Sequence, residues 1–172
     1  MHHLRKAVDG FLDTHDSLMI FMNVGLHYVS NPVPFFSKKD YEIQVSEALQ
    51  YLHTKKLENK KKKIRIIWRE TSAQHFPTYN GYWPGAKYAA EMDVKCVPLK
   101  DASQAADWRN DVAKKIIYQN NFDVKIAPFF NLTVPLWSSH VNGHLRDCTH
   151  ICWSPMLYQP LFHFMAQSMT EG

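Results

Sequence analysis

The sequence predicts an α/β fold whose strands lie mostly parallel in one sheet. Three observations point there. Short apolar segments of strand length at 17–24, 64–68 and 124–127 alternate with stretches of helical periodicity, and that alternation is the pattern of α/β sheets. The first segment, SLMIFMNV, is almost wholly apolar, as strands are when a parallel sheet is covered on both faces. The length, 172 residues, is that of one domain, enough to bury roughly 70% of the unfolded surface without a metal or disulfide staple. With 45% hydrophobic residues, six glycines and nine prolines, the chain is neither disordered, nor collagenous, nor a small cysteine scaffold.

The elements follow in order. Leu4, Val8, Phe11 and Leu12 have helical spacing. The strand at 17–24 is broken by Gly25, and residues 29–39 read as a loop around Asn31-Pro32 and Pro34. Residues 40–57 fit an amphipathic helix, with Ile43, Val45, Ala48, Leu49 and Leu52 inside and Glu42, Glu47 and Lys55 outside. The second strand is IRIIW at 64–68. A long irregular insertion spans 70–103, punctuated by Pro77, Gly81, Pro84, Gly85 and Pro98. Its aromatics (Phe76, Tyr79, Tyr82, Trp83, Tyr88) favour an ordered, functional loop over disorder. Residues 104–119 read as a helix, 124–127 as the third strand, 131–150 as a loop, and 155–168 as a terminal helix with Pro155 near its start. No internal repeat is visible.

The net charge of +4 is local. Residues 54–63 hold six lysines (Lys55, Lys56, Lys60, Lys61, Lys62, Lys63) and one acid, Glu58. The remaining 14 basic and 15 acidic side chains nearly cancel. A run of lysine without arginine or interleaved aromatics reads as a solvated turn, not as a nucleic-acid surface. Three cysteines, Cys96, Cys148 and Cys152, allow one bridge plus a spare thiol, or none. Cys148, Cys152 and His150, with His140 and His144 nearby, lack a second ligand pair at metal spacing, so no metal site is expected. Asn131-Leu132-Thr133 is a glycosylation acceptor pattern. No apolar run is long enough to span a membrane, and the N-terminal residues do not read as a signal segment.

In open α/β sheets ligands sit beyond the carboxyl ends of the strands. Polar clusters occur at all three ends: residues 23–28, residues 69–75, and the 140–150 loop. In Arg146-Asp147-Cys148-Thr149-His150, the carboxylate and imidazole are three apart and can meet on one turn. Asp147 would then fix the tautomer of His150, as in a hydrolytic triad; ordinary capping by Asp147 beside a packed His150 is the alternative. Asn23 and Gly25 can donate to an oxyanion or simply end a strand. Arg69 can clamp a carboxylate or sugar hydroxyls, with His75 as a further donor, or pair with Glu70 at the surface.

These segments resemble the PC-esterase family, which includes the plant trichome birefringence-like proteins and the fungal capsule O-acetylation proteins. RDCTHIC followed by WSPMLYQPLFHFM is similar to its Asp-Cys-Ser/Thr-His-x-Cys block, WRETSAQHF to its Arg…His-Phe segment, and NVGLHY to its Asn-x-Gly segment. They occur in the family's order over about residues 14–165. The resemblance implies an SGNH-hydrolase-like (GDSL-like, flavodoxin-like) three-layer sandwich, and an acyl esterase or O-acetyltransferase acting on a polysaccharide in the secretory pathway, with no cofactor. Asp147 and His150 would be the acid and base of a Ser-His-Asp triad. Asn23 and Gly25 would sit at the oxyanion hole, and Arg69 and His75 at the acceptor site. Cys96 would pair with Cys148 or Cys152.

One block of the family is missing. The chain contains no Gly-Asp-Ser nucleophile segment. Ser17 begins an apolar strand instead of following one, and Ser72, Ser138, Ser139 and Ser154 lack a glycine elbow. Two expectations follow. Residues 1–172 are the larger part of a single SGNH-like domain whose first strand and serine lie outside this chain, or they form a non-catalytic subunit of a larger assembly. In the second case a partner chain, or an added element, would cover the sheet edges that the missing strand leaves exposed.

Overall fold

A computed structural model describes residues 1–28, 37–84, 95–100, 107–140 and 147–170. The elements are α1 (His2–Thr14), β1 (Ser17–Met22), α2 (Lys38–Glu58), β2 (Lys63–Arg69), α3 (Trp108–Gln119), β3 (Lys125–Ala127), α4 (Phe130–Thr133) and α5 (Pro155–Thr170). The three strands form one open, all-parallel sheet in the order β1-β2-β3. The α/β expectation therefore holds, with strands where the apolar segments lie. Residues 29–36 of the expected loop, 85–94 and 101–103 of the irregular segment, 104–106 of the expected helix, and 141–146, with His144 and Arg146, lie outside the described residues.

By internal contacts the chain divides into two compact units. The first comprises Met1–Arg69, Trp108–Ala127 and Met165–Gly172, and the second Glu70–Asp107 and Pro128–Phe164.

The first unit contains the sheet. Ser17↔Lys63 through Met22↔Trp68 sets the β1–β2 register, and Ile67↔Lys125 through Arg69↔Ala127 the β2–β3 register. Side chains alternate faces along a strand, so Ile64, Ile66 and Trp68 share one face of β2. Ile64 and Ile66 pack with Val8 and Leu12 of α1 and Leu52 of α2. Trp68 packs with Tyr41, Val45 and Leu49 of α2 and with Val112, Ala113 and Ile117 of α3. Each such aliphatic side chain stabilises the fold by about 1.5–3 kcal/mol.

Helix α2 starts where Ser37 and Asp40 form a capping box. The Ser37 hydroxyl accepts the Asp40 N–H (3.2 Å), and the Asp40 carboxylate accepts the Ser37 N–H (2.9 Å). Its buried stripe is Tyr41, Val45, Ala48, Leu49 and Leu52. Ile43, expected inside, is exposed, because at 100° per residue it lies about 200° around the helix from Tyr41. Strand β1 also departs from expectation. It sits at a sheet edge with its apolar side chains only half-buried. Three lysines of the basic run are paired, Lys55 with Asp9 (2.9 Å), Lys56 with Asp123 (2.6 Å) and Lys62 with Asp16 (3.8 Å). Lys55 and Lys56 lie on α2 and Lys63 opens β2, so only residues 59–62 of the run form a turn.

The second unit has no sheet among its described residues. It is built from hydrogen-bonded loops, a disulfide, α4 and the first part of α5. Helix α4 overlaps the start of the expected 131–150 loop. The Glu70 carboxylate accepts the N–H groups of Phe129 and Phe130, both at 3.0 Å, which supplies acceptors at the start of the turn. Pro155 opens α5, and the Ser154 carbonyl accepts the N–H groups of Leu157 and Tyr158, both at 3.1 Å.

Candidate active site

Asn23 follows β1 directly, and the β1–β2 register brings it beside Arg69. The Asn23 amide nitrogen donates to the Arg69 carbonyl (2.8 Å), and Arg69 Nη2 donates back to Asn23 Oδ1 (3.1 Å). The two side chains thus lock the carboxyl ends of neighbouring strands together. Glu70, expected at the surface, is instead buried and reaches the start of α4. Gly25 has φ +154°, a value L residues rarely adopt, and its carbonyl accepts the Tyr28 N–H (2.8 Å). Arg109, buried on α3, donates from Nε to the Tyr28 carbonyl (3.1 Å). Nothing in its sequence context distinguished this arginine, because its partner is a backbone oxygen 81 positions away.

In the second unit every residue of the polar run 70–76 is buried. The Ala73 N–H donates to Thr133 Oγ1 (2.8 Å), and Gln74 Nε2 donates to Thr149 Oγ1 (2.8 Å). The His75 N–H donates to the Cys148 carbonyl, and its own carbonyl accepts the Val97 N–H (2.9 and 3.0 Å). The Phe76 N–H donates to the Gly81 carbonyl (2.9 Å). Gly81, at φ +74°, closes this turn where a Cβ would lie 2.4 Å from the Gln74 carbonyl oxygen.

His75 is therefore not a substrate-facing donor, as had been expected. It is fully buried, and both ring nitrogens are engaged, Nδ1 with His140 Nε2 (2.7 Å) and Nε2 with the Val134 carbonyl (2.9 Å). Burial pushes the His75 and His140 pKa values below the ordinary histidine range.

Asp147 and His150 meet as the spacing predicts. His150 Nδ1 lies 2.7 Å from Asp147 Oδ2, while Asp147 Oδ1 accepts the N–H groups of Thr149 (2.9 Å) and His150 (3.0 Å). One carboxylate thus both caps the turn and orients the ring. Burial pushes the Asp147 pKa up, but the N–H groups of His150 and Thr149 and the imidazole outweigh it, and the carboxyl is held below its usual range. The His150 side chain is 73% exposed. Its partner fixes the neutral tautomer with hydrogen on Nδ1, leaving Nε2 as the basic nitrogen. Among the described residues no hydroxyl bonds to that nitrogen.

Cys96 is joined to Cys148, which decides between the two pairings the resemblance left open, and Cys152 is a free, exposed thiol. With Cys148 in the bridge, its sulfur is not free to ligate a metal. Among the described residues no three His, Cys, Asp or Glu gather as a metal site. Asn131 is exposed on α4, but the Thr133 hydroxyl of its acceptor pattern is buried and donates to the Phe130 carbonyl (2.7 Å).

No family model, curated protein or solved structure matches the chain. Among the described residues no helix is long and apolar enough to cross a membrane.

Proposed function

We propose that the chain carries the acid–base half of a Ser-His-Asp acyl-transfer site on an SGNH-like, PC-esterase-type domain. The observation that best supports this is the 2.7 Å Asp147–His150 contact with the far side of the imidazole open to solvent. In this reading a serine from outside these 172 residues attacks an ester carbonyl, and His150 Nε2 takes its proton. The resulting imidazolium, stabilised by Asp147, returns that proton to the departing alkoxide as the acyl–serine ester forms. Water or a sugar hydroxyl then gives its proton to Nε2 and attacks the acyl–serine, and the proton passes back to the serine as the acyl group leaves. The outcome is hydrolysis or O-acyl transfer. A polysaccharide O-acetyl group is the substrate class the resemblance implies. The secretory pathway is the compartment, which the Cys96–Cys148 bridge supports, since disulfides persist in oxidising compartments.

The test is substitution of His150 by Ala in the full-length native protein. The expected result is a loss of several orders of magnitude in ester turnover, together with loss of labelling by a serine-directed fluorophosphonate. Unchanged turnover in that variant would sink the proposal.

A second reading, a non-catalytic subunit of a larger assembly, is favoured by one observation. The outer edge of β1 has no pairing strand among the described residues, and an unpaired edge is a template for a strand of another chain. That reading expects no fluorophosphonate labelling of the native assembly; a labelled serine refutes it.

A further inference from the structure

We propose that His75 and His140 share one proton and together position His150 by holding its backbone carbonyl. The second unit contains a continuous chain of hydrogen bonds. Val134 C=O meets His75 Nε2 at 2.9 Å, His75 Nδ1 meets His140 Nε2 at 2.7 Å, and His140 Nδ1 meets His150 C=O at 3.0 Å. The carbonyls at the two ends only accept, so the nitrogen facing each must carry hydrogen. The central N···N contact needs a third hydrogen. Two neutral imidazoles bring two. A neutral pair can therefore hold Val134 or His150 in any one tautomeric arrangement, but not both with the central bond intact. One added proton completes all three bonds. A second would set two cations 2.7 Å apart in a buried site, so the pair titrates as a unit and stops at one.

The surroundings decide where that proton binds. Burial opposes it, and the two carbonyls favour it. Among charged groups, Asp147 favours the proton on His140 and His150 opposes it. The segment that bonds the His75 carbonyl contributes Lys95 and Lys100, while α4 and residues 134–139 contribute no ionisable side chain. Burial leads the balance, so the step lies below the ordinary histidine range. His140 also pairs with Ile151 in an isolated antiparallel bridge, and the Cys152 N–H donates to the Ser139 carbonyl (2.7 Å). The dyad is thus one of several ties on the loop that presents Asp147 and His150. That it serves catalysis rests on the acyl-transfer reading; its proton count does not.

The test is an NMR titration of the full chain, with isotope-labelled histidine rings and backbone carbonyls, from alkaline to acid pH. His75 and His140 should take up one proton between them in a common step below the ordinary histidine range, and the carbonyl carbons of Val134 and His150 should move in that same step. Independent titration of the two rings, uptake of two protons, no step before unfolding, or a step that leaves both carbonyls unmoved would overturn the proposal. The positioning role is read by amide exchange of residues 149–152 at one fixed pH. His140→Leu should speed it about fivefold, the equivalent of one lost hydrogen bond, and His140→Asn, whose amide nitrogen replaces the Nδ1 donor, should restore it. Equal exchange in all three proteins would remove that role. If a variant does not fold, the titration of the unsubstituted chain still decides. None of these readouts requires activity, so failure of the acyl-transfer reading and failure of the dyad remain separate results.

Discussion

Removing the Cys96–Cys148 bridge tests how the second unit is held. The bridge closes a loop of sequence separation 52. Constraining a loop of that length in the unfolded chain is worth about 4 kcal/mol in the chain-entropy model. Cys148 is fully buried against Phe76, and its carbonyl accepts the His75 N–H. The double variant Cys96→Ala/Cys148→Ala should therefore lose stability by roughly that amount, since Ala keeps the backbone bond and gives up only the sulfur contacts. For a chain of this size the melting midpoint should fall by roughly 8–16 °C. Denaturant unfolding of the variant, and of the unsubstituted chain with and without reductant, gives the number. Alkylation of the unreduced folded chain followed by peptide mass mapping should label Cys152 alone. A loss below about 1 kcal/mol, well under what the model assigns a loop this long, would refute the reasoning, as would a native label on Cys96 or Cys148.

Further outcomes follow from single contacts. Gly81→Ala should destabilise by about 1–3 kcal/mol, the cost of a forced positive φ, because the added Cβ meets the Gln74 carbonyl and Leu99 at 2.4 Å; an unchanged denaturation midpoint would count against that turn. Asn23→Ala should cost about 1–3 kcal/mol, since Arg69 loses a donor to its carbonyl and an acceptor for its guanidinium; Asn23→Asp, which keeps only the acceptor, should recover part of it. Stability should fall on mild acidification. His75 and His140 take up their one shared proton below 6.5 when folded, so as pH falls through 6.5 the unfolded chain takes up protons that the folded chain does not. The contribution of Asp147 has the same sign at lower pH. It is present above its unfolded value of 3.8 and is lost as pH falls through the folded one. Melting curves across that range check both, and a midpoint that rises on acidification from neutral pH would contradict them.

The sheet was legible because strand-length apolar runs are a local signal. All three strands lie within two residues of their expected ends. What failed depended on neighbours. SLMIFM reads as a doubly covered strand, yet β1 is a half-buried edge, and composition does not encode which strand lies outermost. Ile43 is as apolar as Val45, and only the helical angle separates them. Helix α4 is a single turn with no helical periodicity to announce it, and its hydrogen-bond acceptor, Glu70, arrives from 59 positions away.

The site was legible in part for the same physical reason. Asp147 and His150 belong to one turn, so spacing alone brings them together. His75 was visible as a histidine beyond a strand but misread as facing substrate. A polar segment such as ETSAQHF carries no local mark of its burial. Polar residues can be fully buried when each finds a partner, and this run finds its partners at Phe129, Thr133, Val134, His140, Cys148 and Thr149. Those partners explain the design. In the proposed acyl-transfer reading, an acid–base pair on an exposed turn would sample many geometries, and proton transfer needs one. Burying seven consecutive residues behind the turn lets Gln74 and His75 bond directly to Thr149 and Cys148, while His75 reaches the His150 carbonyl through His140. The exposed imidazole is thereby backed by a polar segment that is buried throughout. Such rigidity gives a physical reason for the polar run that surface solvation cannot supply, and it predicts that substitutions at Gln74 or His140 will disturb His150 while leaving the sheet intact.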